Sequence, residues 1–275
     1  MSTVSRKIVG MAVVAAVLAV GAAALAKALF VQATTTQAAA VTLPPTHAGF
    51  DYQIGSAYPP SAGATVVTRD HTASPAAGLY NICYVNAFQA QPGAEGEWAS
   101  DLLLRDSAGK VVYDKDWGEA LLDISTDAKR KRITDKIGGL IDSCRDKGFQ
   151  AVEPDNYDSY TRSGKRLTAD HAQAFIKLLS AHAHADGLAI AQKNTSELAD
   201  NRTANGLDFA VAEECGQHTE CGDYTSAFGN NVIVIEYTDA GRSKACKTWG
   251  GTLSIVQRDL DVSPAGSSGY VRKTC

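Results

Sequence analysis

The 275-residue chain lacks a strong excess of either charge, with 26 lysine and arginine residues, 30 aspartate and glutamate residues and a net charge of -4. A nucleic-acid-binding domain needs a basic face, so this balance argues against nucleic acid as a partner. The chain also lacks a GxGxxG run after its first predicted strand, which removes support for a dinucleotide site. With 45% hydrophobic residues, the composition is that of an ordinary globular protein of one large domain or two small ones.

None of the six cysteines belongs to a CxxC pair, which argues against a structural zinc site. In an exported chain the cysteines predict disulfides instead. Cys215 and Cys221 are the expected local pair. The other four leave several pairings open, and the arrangement that ties down the C-terminal tail joins Cys246 to Cys275 and Cys83 to Cys144.

The N-terminal residues have the pattern of a secretory signal. Arg6 and Lys7 precede an apolar run over residues 8–26, and small residues follow it. The run is close to the roughly twenty residues that span a bilayer, so an uncleaved membrane anchor is the alternative. We therefore expect residues 1–40 to be a signal peptide or membrane anchor with a tether, and residues 41–275 to be one domain. Both alternatives predict a secreted protein or one on the extracellular face of the membrane.

Short apolar runs alternate with helical patterns along residues 41–275. Near-continuous apolar strands separated by helices indicate a parallel sheet covered on both faces. About eight βα units fit an α/β fold of the (β/α)8 TIM-barrel type, and a doubly wound open sheet is the competing fold. Capped helices are predicted over residues 125–148 and 167–187. The strands are predicted at residues 50–54, 65–68, 79–85, 149–153, 187–191, 208–212, 232–235 and 252–256.

Most of these strands end in an ionisable or amide side chain, and in a barrel such ends converge on one rim, where these enzymes keep their active sites. Strand ends also carry polar residues simply because the chain leaves the core there, so one residue alone carries little weight. Two carboxylates across a cleft are what glycoside hydrolysis requires, since one protonates the leaving oxygen and the other attacks or activates water.

Five segments resemble, in order and spacing, glycoside hydrolase family 114, the endo-α-1,4-polygalactosaminidase family. They fall within about residues 50–240 and read CYVNAF, VEPDNYDSY, LAIAQKN, FAVAEECGQHTEC and VIVIEYTD. The resemblance implies a (β/α)8 barrel that cleaves α-1,4-linked galactosamine polymers in endo fashion without a cofactor. Residue by residue, it implies that Asp155 and Glu213 are the catalytic carboxylates.

The resemblance also places family residues of the rim at Asp70, Lys193, Asn194 and Tyr237. Among carboxylates, the lysine would keep a neighbour ionised. The free amine of galactosamine is positively charged near neutral pH, so Asp51, Asp158 and Glu236 are candidates to pair with it, and Asn156 is expected to help position the substrate. We expect no metal, a galactosamine-containing polysaccharide as partner, and a monomer.

Two segments depart from the family pattern, YVNAF after the third strand and Asp51-Tyr52-Gln53 in the first, and both bear on substrate preference. The choice between Glu213 and Glu214 stays open, because adjacent strand residues face opposite sides and only one can point into the site. The alternative function is a non-catalytic, polysaccharide-binding barrel at the cell surface. A chitinase-like enzyme would carry a DxxDxDxE run, which this chain does not have.

Overall fold

The computed structural model describes residues 41–275, and the predicted signal or anchor segment lies outside them. Eight parallel strands follow one another in chain order around a nearly closed barrel, and a short antiparallel strand is added beside the last of them. Across the seam, the Ala48 N–H donates to Ser254 Oγ at 2.8 Å. The fold is therefore the predicted TIM-type barrel in a single domain, and the open sheet is excluded.

The main sheet has the order β1-β2-β3-β6-β7-β8-β9-β10-β11, and β4 pairs with β5 in a separate hairpin between β3 and β6. The strands are β1 Phe50–Gln53, β2 Val66–Asp70, β3 Tyr80–Asn86, β4 Gln89–Ala90, β5 Ala120–Leu121, β6 Ala151–Asp155, β7 Ala189–Lys193, β8 Phe209–Glu213, β9 Val232–Glu236, β10 Ser254–Arg258 and β11 Arg272–Thr274.

The helices cover the outside of the barrel. They are α1 Asp127–Lys147, α2 Ser159–Arg162, α3 Ala169–Ala185, α4 Arg202–Asn205, α5 Cys215–His218, α6 Cys221–Phe228 and α7 Asp239–Trp249, with 3-10 turns at Glu95–Glu97 and Ser196–Asn201. Thr168 caps one long helix as predicted, and of Ser125 and Thr126, the two candidates for the other, Thr126 is the cap. Gly148 ends α1 at a φ of 93°, a conformation that favours glycine.

The first two strand connections depart from a complete set of βα units. Within the part of the chain that the structure describes, residues 54–65 and 71–79 contain no helix. Both connections are short and carry prolines, at Pro59, Pro60 and Pro75. Proline removes a helical hydrogen bond and clashes with the preceding turn, so a crossover helix cannot form in so few residues.

The strands β6 to β10 each run past the ends predicted for them. Asp155, Lys193 and Glu213 were expected just after strands, and each is the last residue of one. The apolar signal stops early because these side chains point into a polar cleft, while the backbone ladder continues beneath them. Hydrogen bonding in the sheet, unlike burial of apolar surface, does not depend on the side chain.

Side chains alternate between the interior of the barrel and the layer under the helices. Phe50, Tyr52, Ile82, Val211 and Ile235 pack with one another in the interior. The residues between them belong to the larger core that the helices cover. This alternation decides which strand residues can reach the cleft.

The expected disulfide between Cys215 and Cys221 is present, and the pairings left open are Cys83 with Cys144 and Cys246 with Cys275. The first of them directly follows β8, where it pins the loop at the mouth of the barrel. Among residues 41–275, no helix combines the length and the apolar character needed to cross a bilayer.

Candidate active site

A cleft of about 650 Å³ opens at the carboxyl ends of the barrel strands. Its lining is rich in acidic side chains, and the basic residues in the lining are Arg162 and His71. Such a lining favours a cationic ligand. The carboxylates that line it are Asp70, Glu119, Asp155, Asp158, Glu213 and Asp261.

Asp155 and Glu213 meet at the floor of this cleft around one lysine. Lys193 Nζ lies 3.3 Å from Asp155 Oδ1 and 3.5 Å from Glu213 Oε2, and the lysine side chain is only 1% exposed. Because both oxygens lie within 3.5 Å of one nitrogen, they are at most about 7 Å apart. The three residues end β6, β7 and β8, so three neighbouring strands deliver them to one point.

The lysine keeps the aspartate charged. Burial opposes ionisation of Asp155, but the Lys193 ammonium, the Tyr84 hydroxyl and the Asn156 N–H outweigh it and hold the pKa of Asp155 below its ordinary value. Tyr84 Oη donates to Asp155 Oδ2 at 2.7 Å, and the Asn156 N–H donates to Oδ1 at 2.7 Å. Burial disfavours the charge on Lys193 as well, but Asp155 and Glu213 raise the pKa of the lysine well above its ordinary value.

Glu213 is held by its neighbours on both sides. Asn194 Nδ2 donates to Glu213 Oε2 at 3.0 Å, while Asn194 Oδ1 accepts the Glu213 N–H at 2.9 Å. Tyr237 donates its hydroxyl hydrogen to Glu213 Oε1. These contacts fix the carboxyl group at the cleft surface, where it remains reachable.

The chain turns sharply directly after each of the three strands that supply these residues. Asn156, Asn194 and Glu214 adopt φ angles of 67°, 52° and 56°. Asparagine tolerates this left-handed region, whereas glutamate does so at a cost. Strained backbone of this kind collects at functional sites, where the surrounding fold holds it in place.

The same turn separates the two adjacent glutamates. Glu213 lines the cleft, whereas Glu214 precedes α5 and accepts a hydrogen bond from Gln217 Nε2 at 3.1 Å. Of the two, Glu213 is therefore the one whose side chain lies at the cleft.

The family model of glycoside-hydrolase family GH114 matches residues 31–275. The chain belongs to this family. It is therefore a glycoside hydrolase, in agreement with the resemblance found in the sequence.

Solved structures show the same architecture. Aspergillus fumigatus Ega3, crystallised in complex with galactosamine, is 23% identical, with a TM-score of 0.70 over 87% of this chain and 100% of that one. The glycoside hydrolase domain of PelA from Pseudomonas aeruginosa is 14% identical, with a TM-score of 0.58 over 80% of this chain and 97% of that one. At these identities the likeness establishes the fold. No curated protein matches the chain.

In this GH114 member, Asp70, Asn156, Asp158, Asn194 and Tyr237 all line the cleft, where the sequence had placed them. Asp158 is already paired, since both of its oxygens accept from Arg162, at 2.7 and 2.8 Å. Lys193 lies beneath the cleft and reaches it through the two carboxylates.

Asp51 and Glu236 are not brought to the cleft, and the expectation that they pair with a substrate amine is wrong for this structure. Both are fully buried. Asp51 accepts from Tyr58 Oη and the Ser61 N–H, each at 3.0 Å. Glu236 Oε1 accepts the Gly216 N–H at 2.7 Å under α5. Each alternates with inward-facing neighbours, so its own side chain points out of the barrel.

Several residues at the site were given no role from the sequence. Tyr84 and Glu153 face inward on β3 and β6. Each lies two residues before the end of its strand, so the alternation of side chains could have predicted that it faces the same way as the last residue. Glu119 and Trp117 come from the hairpin between β4 and β5, and both line the cleft. A loop-rich insertion has no periodicity, so the sequence carries no signal for those two.

Two other clusters within residues 41–275 have metal-binding side chains, and neither is suited to a metal. Asp142, His182 and Asp186 lie together at the ends of α1 and α3, but Arg145 forms ion pairs with both aspartates there. In the second, Cys215 and Cys221 lie near Glu236, but their sulfur atoms are joined in a disulfide.

Proposed function

We propose that the protein is an exported, endo-acting hydrolase of α-1,4-linked, galactosamine-rich polysaccharide, with Asp155 and Glu213 as its catalytic carboxylates. The observation that carries the proposal is the placement of both carboxyl groups on one buried ammonium at the floor of an acidic cleft. The bound galactosamine in Ega3, a protein of the same fold, supports the choice of sugar.

The surroundings of the two carboxyl groups suit different roles. Asp155 is held ionised by Lys193, Tyr84 and the backbone of Asn156, as the group that attacks the anomeric carbon or activates water must be. The proposal assigns the acid role to Glu213, the other carboxyl group that lines the cleft beside Lys193. Tyr237 and Asn194 orient that carboxyl group toward the cleft.

The cationic substrate has carboxylates available to it. Asp70, Glu119 and Asp261 line the cleft and form no salt bridge with any described residue. A polymer ammonium group could pair with each of them without displacing an internal cation. Trp117, 57% exposed on the cleft wall, offers a face on which a sugar ring can stack.

Export is supported by the three disulfides, which form and persist in oxidising compartments. The proposal includes residues 1–40 as a signal or anchor with its tether and residues 41–275 as the hydrolase domain. A non-catalytic binding protein would also be exported, so activity must separate the two functions.

The test is release of oligosaccharides from purified α-1,4-linked galactosamine polymer. The lengths of the products are measured, and NMR identifies the anomer that each cleavage forms first. Asp155→Asn and Glu213→Gln should each abolish release and leave polymer binding largely intact. Glu214→Gln is the matched control and should retain activity. Binding without product release by the wild-type protein would refute the hydrolase and favour the binding protein.

Fully N-acetylated polymer tests the charge pairing. It has no free amine, so its cleavage should be slower by about tenfold or more if ammonium groups pair with Glu119 and its neighbours. Equal rates on the two polymers would refute this part of the proposal. Glu119→Gln should reduce the preference for the free amine more than it reduces the rate on the acetylated polymer.

A further inference from the structure

A second charged layer lies directly below the two carboxylates. It consists of Tyr52 on β1, Glu153 on β6 and Lys193 on β7, and we call these three residues the lysine layer. Tyr52 and Glu153 are fully buried, and Lys193 is nearly so. Glu153 lies two residues before Asp155 on the same strand, so both side chains point into the barrel, one above the other.

The lysine layer is a closed triangle of hydrogen bonds. Tyr52 Oη donates to Glu153 Oε1 at 3.0 Å. Lys193 Nζ donates to the same oxygen at 3.1 Å and to Tyr52 Oη at 3.1 Å. An ammonium group has three hydrogens. Two of them are used within the layer, and Asp155 Oδ1 and Glu213 Oε2 lie 3.3 and 3.5 Å from the same nitrogen.

The layer therefore decides where the positive charge sits. The Nζ distances to Tyr52 and Glu153 are shorter than those to Asp155 and Glu213. A buried lysine without such partners has a long, flexible stem and no fixed position for its charge. With them, the ammonium is held within reach of both catalytic carboxyl groups.

Charge balance in the cluster is incomplete when every acid is ionised. Three carboxylates face one ammonium, and Glu153 Oε2 is buried without a hydrogen-bond partner. Burial raises the pKa of Glu153 to about 7, even though Lys193 opposes the shift. At neutral pH Glu153 is therefore about half protonated, and the charged or titratable groups that face it are Tyr52, Lys193, Asp155 and Glu213.

We propose that Glu153 is a positioning residue which, together with Tyr52, holds the Lys193 ammonium between Asp155 and Glu213 and controls how much of its charge they experience. This inference rests on the proposed hydrolase function. Protonated Glu153 leaves the full charge of the lysine to the catalytic pair. Ionised Glu153 neutralises part of that charge and adds a negative field below the acid.

Glu153→Gln tests the inference through the pH profile of kcat/KM on the galactosamine polymer. Glutamine keeps a carbonyl oxygen for Tyr52 and Lys193 but cannot become negative. The alkaline limb should move to lower pH by about one unit, because the acid then loses its proton without an opposing charge below it. The acid limb should stay in place, since Glu153 is already neutral there.

Glu153→Asp separates position from charge. Aspartate keeps the charge but is one methylene shorter, so it cannot maintain both hydrogen bonds of the layer. We expect kcat to fall by about tenfold to a hundredfold while KM changes less than about twofold, because misplacement affects the reacting geometry and not substrate contact. Tyr52→Phe, which removes only the hydroxyl group, should reduce kcat in the same direction but less.

Glu97→Gln, at an exposed glutamate that does not line the cleft, is the matched control and should behave as wild type. An unshifted alkaline limb in Glu153→Gln would overturn the inference, as would an increase in KM with kcat unchanged. A substrate-free measurement accompanies it. Carboxyl carbon NMR should show a group that titrates near pH 7 in the wild type and is missing in Glu153→Gln. Absence of product release by the wild type would instead refute the hydrolase proposal and leave the NMR result to stand on its own.

Discussion

Buried carboxylates occur on both faces of the barrel strands, and the two faces use them differently. On the inner face, Glu153, Asp155 and Glu213 share one lysine at the cleft. On the outer face, Asp51 and Glu236 accept hydrogen bonds from nearby groups, Asp51 also lies 3.5 Å from Arg272 Nε, and neither acid lines the cleft. All five are acids near strand ends, and what separates them is a shift of one residue in the alternation of the strand.

The comparison implies that the inner set depends on one shared cation, whereas each outer acid is held mainly by hydrogen-bond donors, with Arg272 as a further partner of Asp51. Loss of a buried counter-charge leaves other charges uncompensated, and that costs more than loss of one hydrogen bond. Substitution of an inner acid or of the lysine should therefore change stability, activity and their dependence on pH together. The outer acids should affect stability alone.

The largest effect is expected for Lys193→Met. Methionine has a similar length but no charge, so three carboxylates would face one another without a counter-ion. We expect a loss of about 3–5 kcal/mol in the free energy of unfolding at pH 8, measured by urea denaturation, and loss of activity. Lys247→Met, at an exposed position on α7, is the control and should change neither. A loss below about 1 kcal/mol would mean that the inner acids do not depend on the lysine.

The next effect is the pH dependence that Glu153 contributes. Its folded pKa of about 7 lies above the ordinary value of 4.5, so the fold favours the protonated form. The resulting stabilisation is complete below the ordinary pKa and is lost as the pH rises through the folded one. Between about pH 4.5 and 8, wild type should lose about 3 kcal/mol relative to Glu153→Gln, which cannot titrate.

Parallel unfolding curves of the two proteins across that pH range would give this difference directly. A constant difference would show that Glu153 does not titrate within the range. That result would remove the distinction in pH response between the inner and outer faces.

A smaller effect is expected for Asp51→Asn. The amide would place hydrogens where the Ser61 N–H and Gln53 Nε2 now donate to Oδ2, each at 3.0 Å. One or two hydrogen bonds would be lost at about 1–2 kcal/mol, with kcat/KM unchanged. A fall in kcat/KM at unchanged stability would place Asp51 in the catalytic machinery and contradict the division between the faces.

The smallest effect is expected for Glu236→Gln. Oε1 accepts the Gly216 N–H, whereas Oε2 is buried without a hydrogen-bond partner. An amide can keep the first contact and occupy the second position. We expect a change of no more than about 1 kcal/mol in unfolding free energy and no change in kcat/KM. Thermal unfolding and steady-state kinetics on the same sample measure both.

Sequence reasoning was reliable where the signal is local. Thr126 and Thr168 cap helices through contacts within three residues, so their positions follow from the chain itself. The Cys215–Cys221 disulfide spans six positions and was the one pairing that the spacing favoured. The strand ends were placed too early at β6, β7 and β8, because the apolar run that marks a strand stops where the cleft begins.

Sequence reasoning was less reliable where the role of a residue depends on its burial and on the side of the strand to which its side chain points. Asp51 and Glu236 were chosen as acids near strand ends, although alternation from Tyr52 and Tyr237 would have turned both outward. Glu153 was left without a role because a buried acid inside a strand has no meaning until its partners are known. Glu119 and Trp117 could not be found, because the insertion that carries them shows neither helical nor strand periodicity.

The sequence by itself indicated the barrel through its apolar periodicity and the family through the order and spacing of its motifs, because both are properties of the linear chain. The resemblance to that family supplied the two carboxylates proposed for catalysis. Only the tertiary structure decided which acids act together. Tyr52, Glu153 and Lys193 come from three strands and lie up to 141 positions apart, yet they form one hydrogen-bonded layer. Closure of the barrel creates that layer, since it brings β1 across from β6 and β7 and buries the charges where only one another can compensate them.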